Sequence, residues 1–412
     1  MRLLLFLLLL LPAAARAAML PGFRVETVAR ADGFVSSLVV DSKGTVYFTT
    51  TDGWIQRIDG GQATKIAALP TRAGGNGGLL GMALAGDDTA VVHYTTWSAH
   101  DFVLDDVIAR VDLATGAETV VHAFVCDIEK RDRGVSSEHH GGNPTVAEDG
   151  SIFVAIGDYN GRTIAQKPEW NGGKIFRIDP AGEVSQWAIG VRNPYDLVWD
   201  PGLQLLVFTD NGPDAGDELN AVAAGSNCGW PRTFGNEPPL EGAVAPQYVF
   251  PGTVAPTGLA RLDGASALLP RGYLLGAFVT RAIYYVPDIE QRPAPDPIAI
   301  LENFDEFVID VTQAPSGEVY FATASFPGST AIHRLHIPLR GDCNGDGLAD
   351  WRDFLPLMSE LQDGNPQQTV HVQDGEHSGT WGCDVNADSA VDESDLVELT
   401  RRLIKKRAVR HR

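Results

Sequence analysis

Positive charge is scarce in this chain. Its 412 residues carry 32 Lys and Arg against 53 Asp and Glu, a formal net charge of −21. Such a surface repels polyanions, which argues against nucleic acid as a partner. Cysteine is also sparse: Cys126, Cys228, Cys343 and Cys383 are the only four. No C-x-x-C-H occurs, which excludes a covalently attached c-type haem. Four cysteines allow more than one pairing, and spacing does not choose among them. Beyond residue 18, no apolar run approaches the ~20 residues of a membrane-spanning helix, so no transmembrane segment is expected.

What is present begins with a leader. Met1-Arg2, an apolar run over 3–11 and small residues up to Ala18 have the layout of a secretory signal peptide, 1–18. The expected location is therefore secreted, periplasmic or at the cell surface, where disulfides are permitted. The 44 glycines and 25 prolines favour many turns and β-structure. A turn followed by an alternating apolar strand recurs over 41–50, 86–94, 148–157, 200–210, 270–277 and 315–323. A second strand with its own signature follows as 55–59, 108–112, 175–179, 283–287 and 332–336. The spacing averages about 50 residues, enough for a four-stranded blade with loops. The expected architecture over 20–338 is an all-β, six-bladed β-propeller. Such a fold gathers strand-joining loops around a central channel.

Composition shifts near Arg340, where a second, internally repeated domain is expected over 341–406. Two acidic stretches, 342–353 and 384–395, place oxygen side chains at the same five places. The first has Asp342, Asn344, Asp346, Asp350 and Asp353; the second has Asp384, Asn386, Asp388, Asp392 and Asp395. Gly347 stands where an EF-hand loop turns sharply, and Ser389 takes that place in the second copy. Hard oxygen donors at this spacing suit Ca²⁺. Each loop leads into an apolar helical run, which predicts a small α-helical, EF-hand-like calcium-binding domain. One loop and one helix, twice, resembles a type I dockerin module, and the resemblance implies a cohesin-like protein as partner. The family's paired Ser/Thr recognition residues are not matched; this chain has Trp351-Arg352 and Glu393-Ser394. Cys343 and Cys383 each flank a loop start, so a disulfide tying the loops is an expectation.

Within the propeller, an ordered set of stretches stands out. It comprises 76–83, His139-His-Gly-Gly-Asn143, the strand ending Ile156-Gly157-Asp158, and 171–179. It continues with 190–195, 210–220, Gly229-Trp-Pro231, 255–260 and 309–312. In this order the set resembles the glucose/sorbosone dehydrogenase family, whose soluble members are six-bladed propellers using pyrroloquinoline quinone (PQQ). The resemblance implies oxidation of a sugar or polyol hydroxyl, with a histidine as base, Ca²⁺ polarising the quinone, and an external electron acceptor. Counting back from Ile156-Gly157-Asp158 assigns the base to His139, not His140. A neutral imidazole suits that task because its pKa lies near working pH. By the same resemblance Asn76, Arg192 and Asn193 contact the cofactor, and the carbonyls of Gly212 and Pro213 hold calcium. Cofactor-binding members carry arginines just before the Asp-Val of the last blade; here that place reads Phe307-Val308-Ile309. A lysine of the preceding blade is likewise missing.

Two other readings compete with a PQQ-dependent sugar dehydrogenase. One is a non-catalytic propeller that binds protein or carbohydrate and is docked through the dockerin-like domain. The other is a metal-dependent hydrolase using His139 and His140. Adjacent residues on an extended strand point to opposite faces, so two such histidines rarely ligate one ion. Gly141-Gly142 is expected to let the backbone approach a flat ligand closely.

Overall fold

The protein is described from a computed structural model. It covers residues 17–20, 23–72, 76–97, 104–126, 138–263, 269, 271–287, 289–337, 339–344, 348–361, 382–386, 388 and 390–410, with side chains to 405. The signal peptide, apart from its last two residues, lies outside the described residues, as do Asp346, Gly347 and Ser389.

From Ala18 to His336 the chain runs as strands sorted into five sheets, antiparallel except for two short parallel pairings. One sheet has eight strands. Its halves are joined only by a single parallel pairing, Arg30 with Gln62. The first strand of each four-stranded group lies innermost. These are Val35–Val40, Leu79–Leu84, Thr145–Val146, Pro194–Asp200, Pro256–Leu262 and Phe307–Gln313. Each touches the next, and the last touches the first, so they close a ring. The strands earn their place by alternation and β-branching; Ile152–Ile156 (IFVAI), for example, is buried along its whole length. Apolar clusters fill the space between successive groups, as where Val91, Ile108 and Phe124 meet Ile152, Val154 and Phe176.

Five of the six inner strands carry a register shift near their start, between Val35/Ser37, Leu79/Gly81, Pro194/Leu197, Pro256/Leu259 and Val308/Asp310. A bulge leaves backbone groups without ladder partners, and here neighbouring strands supply them. Asp310 Oδ2 accepts from Leu38 N–H at 2.6 Å, and Asp196 Oδ2 accepts from Leu259 N–H at 2.6 Å. Ser37 Oγ donates to the Met82 carbonyl at 3.2 Å and Thr257 Oγ1 to that of Val308 at 3.0 Å. Asn143 N–H donates to the Tyr195 carbonyl at 2.9 Å. Gly81 has no Cβ because one would sit 2.2 Å from Asn143 Oδ1. A belt of side chains thus stitches the ring together.

The ring is closed by the N-terminal strand. Arg24–Asp32 pairs antiparallel with Ser329–His336, from Arg24 opposite His336 to Asp32 opposite Ser329. Beyond the ring, the C-terminal residues form a 3₁₀ turn, Trp351–Asp353, and the helices Phe354–Glu360 and Glu393–Arg410. Cys343 and Cys383 form a disulfide with Cα atoms 4.7 Å apart. It sits in a small core with Leu357, Val385, Val391, Leu399 and Leu403. Among the described residues, no helix is long and apolar enough to cross a membrane.

Candidate functional site

Residues just before the inner strands, and turns between the second and third strand of a group, share one end of the ring. His139 lies there, before Thr145–Val146. It is buried, and its Nδ1 is 2.6 Å from Asp158 Oδ1. Asp158 sits in the turn after Ile152–Ile156 and takes further donors. Trp230 Nε1–H reaches Oδ2 at 2.8 Å, and Asn160 N–H reaches Oδ1 at 2.9 Å. Both Asp158 oxygens act as acceptors, so the tautomer that bonds Asp158 carries its ring proton on Nδ1. Nε2 is left with the lone pair. Neither Asp158 nor Trp230 was assigned a role from sequence; they lie 19 and 91 positions from His139 in the chain.

His140 faces elsewhere. Its Nδ1 lies 3.1 Å from Asp106 Oδ1, a carboxylate fully buried in another sheet. His93 Nε2 (3.2 Å) and Tyr159 Oη (2.7 Å) reach the same carboxylate. Burial alone would raise the Asp106 pKa; His140 and His93 overcome it and hold the group well below the usual carboxylate range. The two adjacent imidazoles separate, but not by strand alternation: His139 has φ 56°, a left-handed turn. Gly141 and Gly142 also differ from expectation. A Cβ on Gly141 would meet the Ala155 carbonyl at 2.1 Å, and one on Gly142 the Tyr195 carbonyl at 1.8 Å. The glycines admit neighbouring backbone rather than a ligand.

Arg192 and Asn193 precede Pro194–Asp200. Their backbone N–H groups are both held by Asp210, at 2.9 and 2.6 Å. Arg192 Nη1 donates to the carbonyls of Asn211 (2.6 Å) and Gly212 (3.0 Å). Its guanidinium lies 5.6 Å from the centre of the Trp230 ring, and that of Arg162 lies 5.8 Å away. Arg162, on the short 3₁₀ helix Arg162–Gln166, is a second cation that sequence reading missed. A narrow cleft here is lined by Arg192, Asp210, Gly212, Glu218, Trp230 and Phe234. Pro213 follows at its rim, half-buried, and Asn76 is exposed before Leu79–Leu84 at the same end.

A cluster of aromatic rings also lies at this end of the ring. Phe307 stacks on Phe278 at 4.2 Å and 5° between planes. Phe326 lies 5.6 Å from Phe307 and 5.7 Å from Phe34.

In the C-terminal loops, the last carboxylate of each is tied to its own backbone. Asp353 accepts from Asn344 N–H (3.0 Å) and Asp350 N–H (2.7 Å). Asp395 accepts from Val385 (2.6 Å), Asn386 (3.0 Å) and Asp392 (2.9 Å). Asp384 Oδ1 accepts from Asp388 N–H at 3.2 Å, and Asp388 Oδ2 from the Asn386 amide at 2.9 Å. Asp342 is buried at the start of the first loop. Asp346 lies outside the described residues, and among those described no group of three or more carboxylates is arranged to hold a metal ion. The predicted donor set, all oxygen, is of a kind that fits a hard cation.

The ring of strand groups is a β-propeller. A family model for glucose / sorbosone dehydrogenases matches residues 35–332, and the chain belongs to that family. A type I dockerin domain model matches residues 340–404. Aldose sugar dehydrogenase YliI of Escherichia coli (strain K12) is 29% identical over 190 residues, covering 42% of this chain and 51% of that protein. Quinoprotein glucose dehydrogenase B of Acinetobacter calcoaceticus is 27% identical over 131 residues, 24% of this chain and 27% of that protein. The chain thus spans about half the length, or less, of the curated relatives it matches. The PQQ-bound aldose sugar dehydrogenase of Streptomyces coelicolor superposes with a TM-score of 0.62 at 23% identity, over 77% of this chain and 100% of that one.

Proposed function

We propose that the chain is an exported, six-bladed PQQ-dependent dehydrogenase that oxidises a sugar or polyol hydroxyl. The observation that carries this reading is the His139–Asp158–Trp230 relay beside Arg192. Asp158 fixes the tautomer, so His139 Nε2 takes the hydroxyl proton as general base. The positive imidazolium that results is held by the carboxylate already bonded to Nδ1. Trp230 and Arg192 form one wall, where the guanidiniums of Arg192 and Arg162 would meet the carboxylates of a ligand, while Asp210 and Glu218 line the adjoining cleft. On this reading Arg192, Asn193 and Asn76 contact the cofactor. When bound, PQQ supplies a hydride acceptor for the carbinol carbon. By the family resemblance the carbonyls of Gly212 and Pro213 would hold Ca²⁺, which supplies a Lewis acid, once Arg192 gives up its bond to the Gly212 carbonyl. Electrons leave to an external acceptor.

The domain limits follow: signal peptide 1–18, propeller 20–338, and a dockerin-like module 341–406 with an EF-hand-like Ca²⁺ loop at 342–353 and another at 384–395. The module docks the enzyme to a cohesin-like protein outside the cytoplasm. One observation favours a second reading, a propeller that binds protein or carbohydrate without redox chemistry: Phe307 and Ile309 stand where cofactor-binding members carry arginines. Adding PQQ and Ca²⁺ to the purified chain separates the two. A bound-quinone spectrum with dye reduction by aldoses supports the dehydrogenase; no quinone bound at saturating cofactor leaves the binding propeller.

A further inference from the structure

The end of the ring away from His139 carries a groove that the dehydrogenase reading does not use. His139 precedes an inner strand, so the residues that close the inner strands lie at the other end. Leu84 and Val146 end Leu79–Leu84 and Thr145–Val146. Trp199 and Arg261 stand one residue before the ends of Pro194–Asp200 and Pro256–Leu262. These residues, with Arg110 and Glu148, line a groove of about 510 Å³. That volume falls within the roughly 300–1,000 Å³ of small-ligand sites.

Three lining residues are charged: Arg110, Glu148 and Arg261. Arg110 is half-buried on the strand Leu104–Asp112. Among the described residues its guanidinium has no hydrogen-bond or ion-pair partner, although acids outnumber bases 53 to 32 in the chain. Arg261 commits only Nε, to Asp200 at 3.3 Å. Asp200 is already served by Arg271 Nη2 (2.7 and 2.9 Å) and Tyr273 Oη (2.5 Å). The guanidinium of Arg261 therefore keeps donors to spare. Trp199 is half-buried, with Phe153 stacked on it at 5.3 Å and 8° between planes. Its Nε1–H donates to Glu148 Oε2 at 3.1 Å, which leaves Glu148 Oε1 open to a further donor. A ligand matched to these groups has a negative charge for Arg110, a hydroxyl for Glu148 and an apolar face for the indole.

We propose that this groove is a second binding site, for a sugar acid of the uronate class. Arg110 takes the carboxylate, with Arg261 adding positive charge; Glu148 accepts from a ring hydroxyl, and Trp199 meets the C–H face. The site does not depend on the dehydrogenase reading, because none of its residues belongs to the cleft beside His139 and Trp230.

The test is calorimetric titration of the full chain without PQQ, so that no turnover intrudes. Galacturonate and glucuronate are compared with galactose and glucose, and with acetate as the bare carboxylate. At least one uronate is expected to bind about tenfold more tightly than its neutral sugar and than acetate. R110Q should remove that preference and leave the melting profile in place, because Arg110 holds nothing in the fold. W199F should weaken uronate binding by a smaller factor. Trigalacturonate binding more tightly than galacturonate identifies a residue of a polymer, and equal binding a free sugar acid; both support the site. No uronate preference, or one that survives R110Q, overturns the proposal. Acetate binding as tightly as a uronate also overturns it, since the groove then holds a simple anion only. So does a preference lost in R192Q and kept in R110Q, which belongs to the cleft beside Trp230. If PQQ later fails to bind the same chain, the dehydrogenase reading falls and these outcomes stand.

Discussion

The propeller and the C-terminal module use the same device at different range. In both, buried carboxylates accept backbone N–H groups that no ladder satisfies. In the propeller the partners are remote: Asp310 holds Leu38 across 272 positions, and Asp196 holds Leu259 across 63. In the module Asp353 and Asp395 reach only 3 to 10 positions along the chain. The propeller is therefore fastened by ring closure around a large core. Among its described residues the module has few buried apolar side chains, and on our reading it depends on its cross-link and its cations. Chemistry should follow the first and docking the second.

His139→Ala breaks this division most strongly. Activity towards a sugar should fall by about 10²–10⁴-fold while the melting profile of both regions stays in place. A chain ending at residue 340 should keep its turnover, and loss of turnover in that truncation would contradict the separation. Next in size is Cys343→Ser. Removing a disulfide costs about 2–4 kcal/mol, so the module should lose its helical signal at a lower temperature, and chelation should lower it further. The propeller transition should not move. Asp310→Ala leaves Leu38 N–H buried without its acceptor, a cost of about 1–3 kcal/mol. It should shift the propeller transition alone.

The smallest effect is one of pH. His333 is buried between Thr27 and Thr323 and stacked on Phe321. Burial lowers its pKa to about 4. An unfolded histidine titrates near ~6.5, so between these values the unfolded chain binds a proton that the folded one does not. Propeller stability should fall as pH drops from about 6.5 to 4, by about 1–3 kcal/mol. His333→Gln should flatten that slope in thermal melts. Asp196 and Asp310 act in the opposite sense. Burial raises both, so their contribution weakens as pH climbs above the ordinary aspartate range near ~4.

Local pattern carried much of this into the sequence. Turn-then-strand repeats pointed to blades, and acidic spacing pointed to two loops whose last carboxylates the structure ties to their own backbone. The Cys343–Cys383 disulfide was legible because each cysteine flanks a loop. What stayed hidden joins distant residues. Trp230 meets Asp158 across 72 positions, and Asp106 collects His140 and Tyr159 from loops 34 and 53 positions away, besides His93 on the neighbouring strand. No spacing rule relates such residues. Arg162 escaped notice because its nearness to Trp230 depends on a short 3₁₀ helix. Phe307 read as a lost cation; its stacking on Phe278 gives the position a role that charge counting could not. The strand Arg24–Asp32 lay outside the repeats because it completes a group begun near the other end of the chain.

That last pairing also sets a timetable. Arg24–Asp32 is made early, and its partner Ser329–His336 about 300 residues later. At about 5–20 residues per second, roughly 15–60 s pass before the ring can shut. Throughout that interval an unpaired strand edge is open to strangers. A chain that crosses a membrane unfolded would meet its closing partner only on the far side. Assembly of the ring would then wait for delivery, and a guardian for the open edge is needed where the chain arrives, not where it is made.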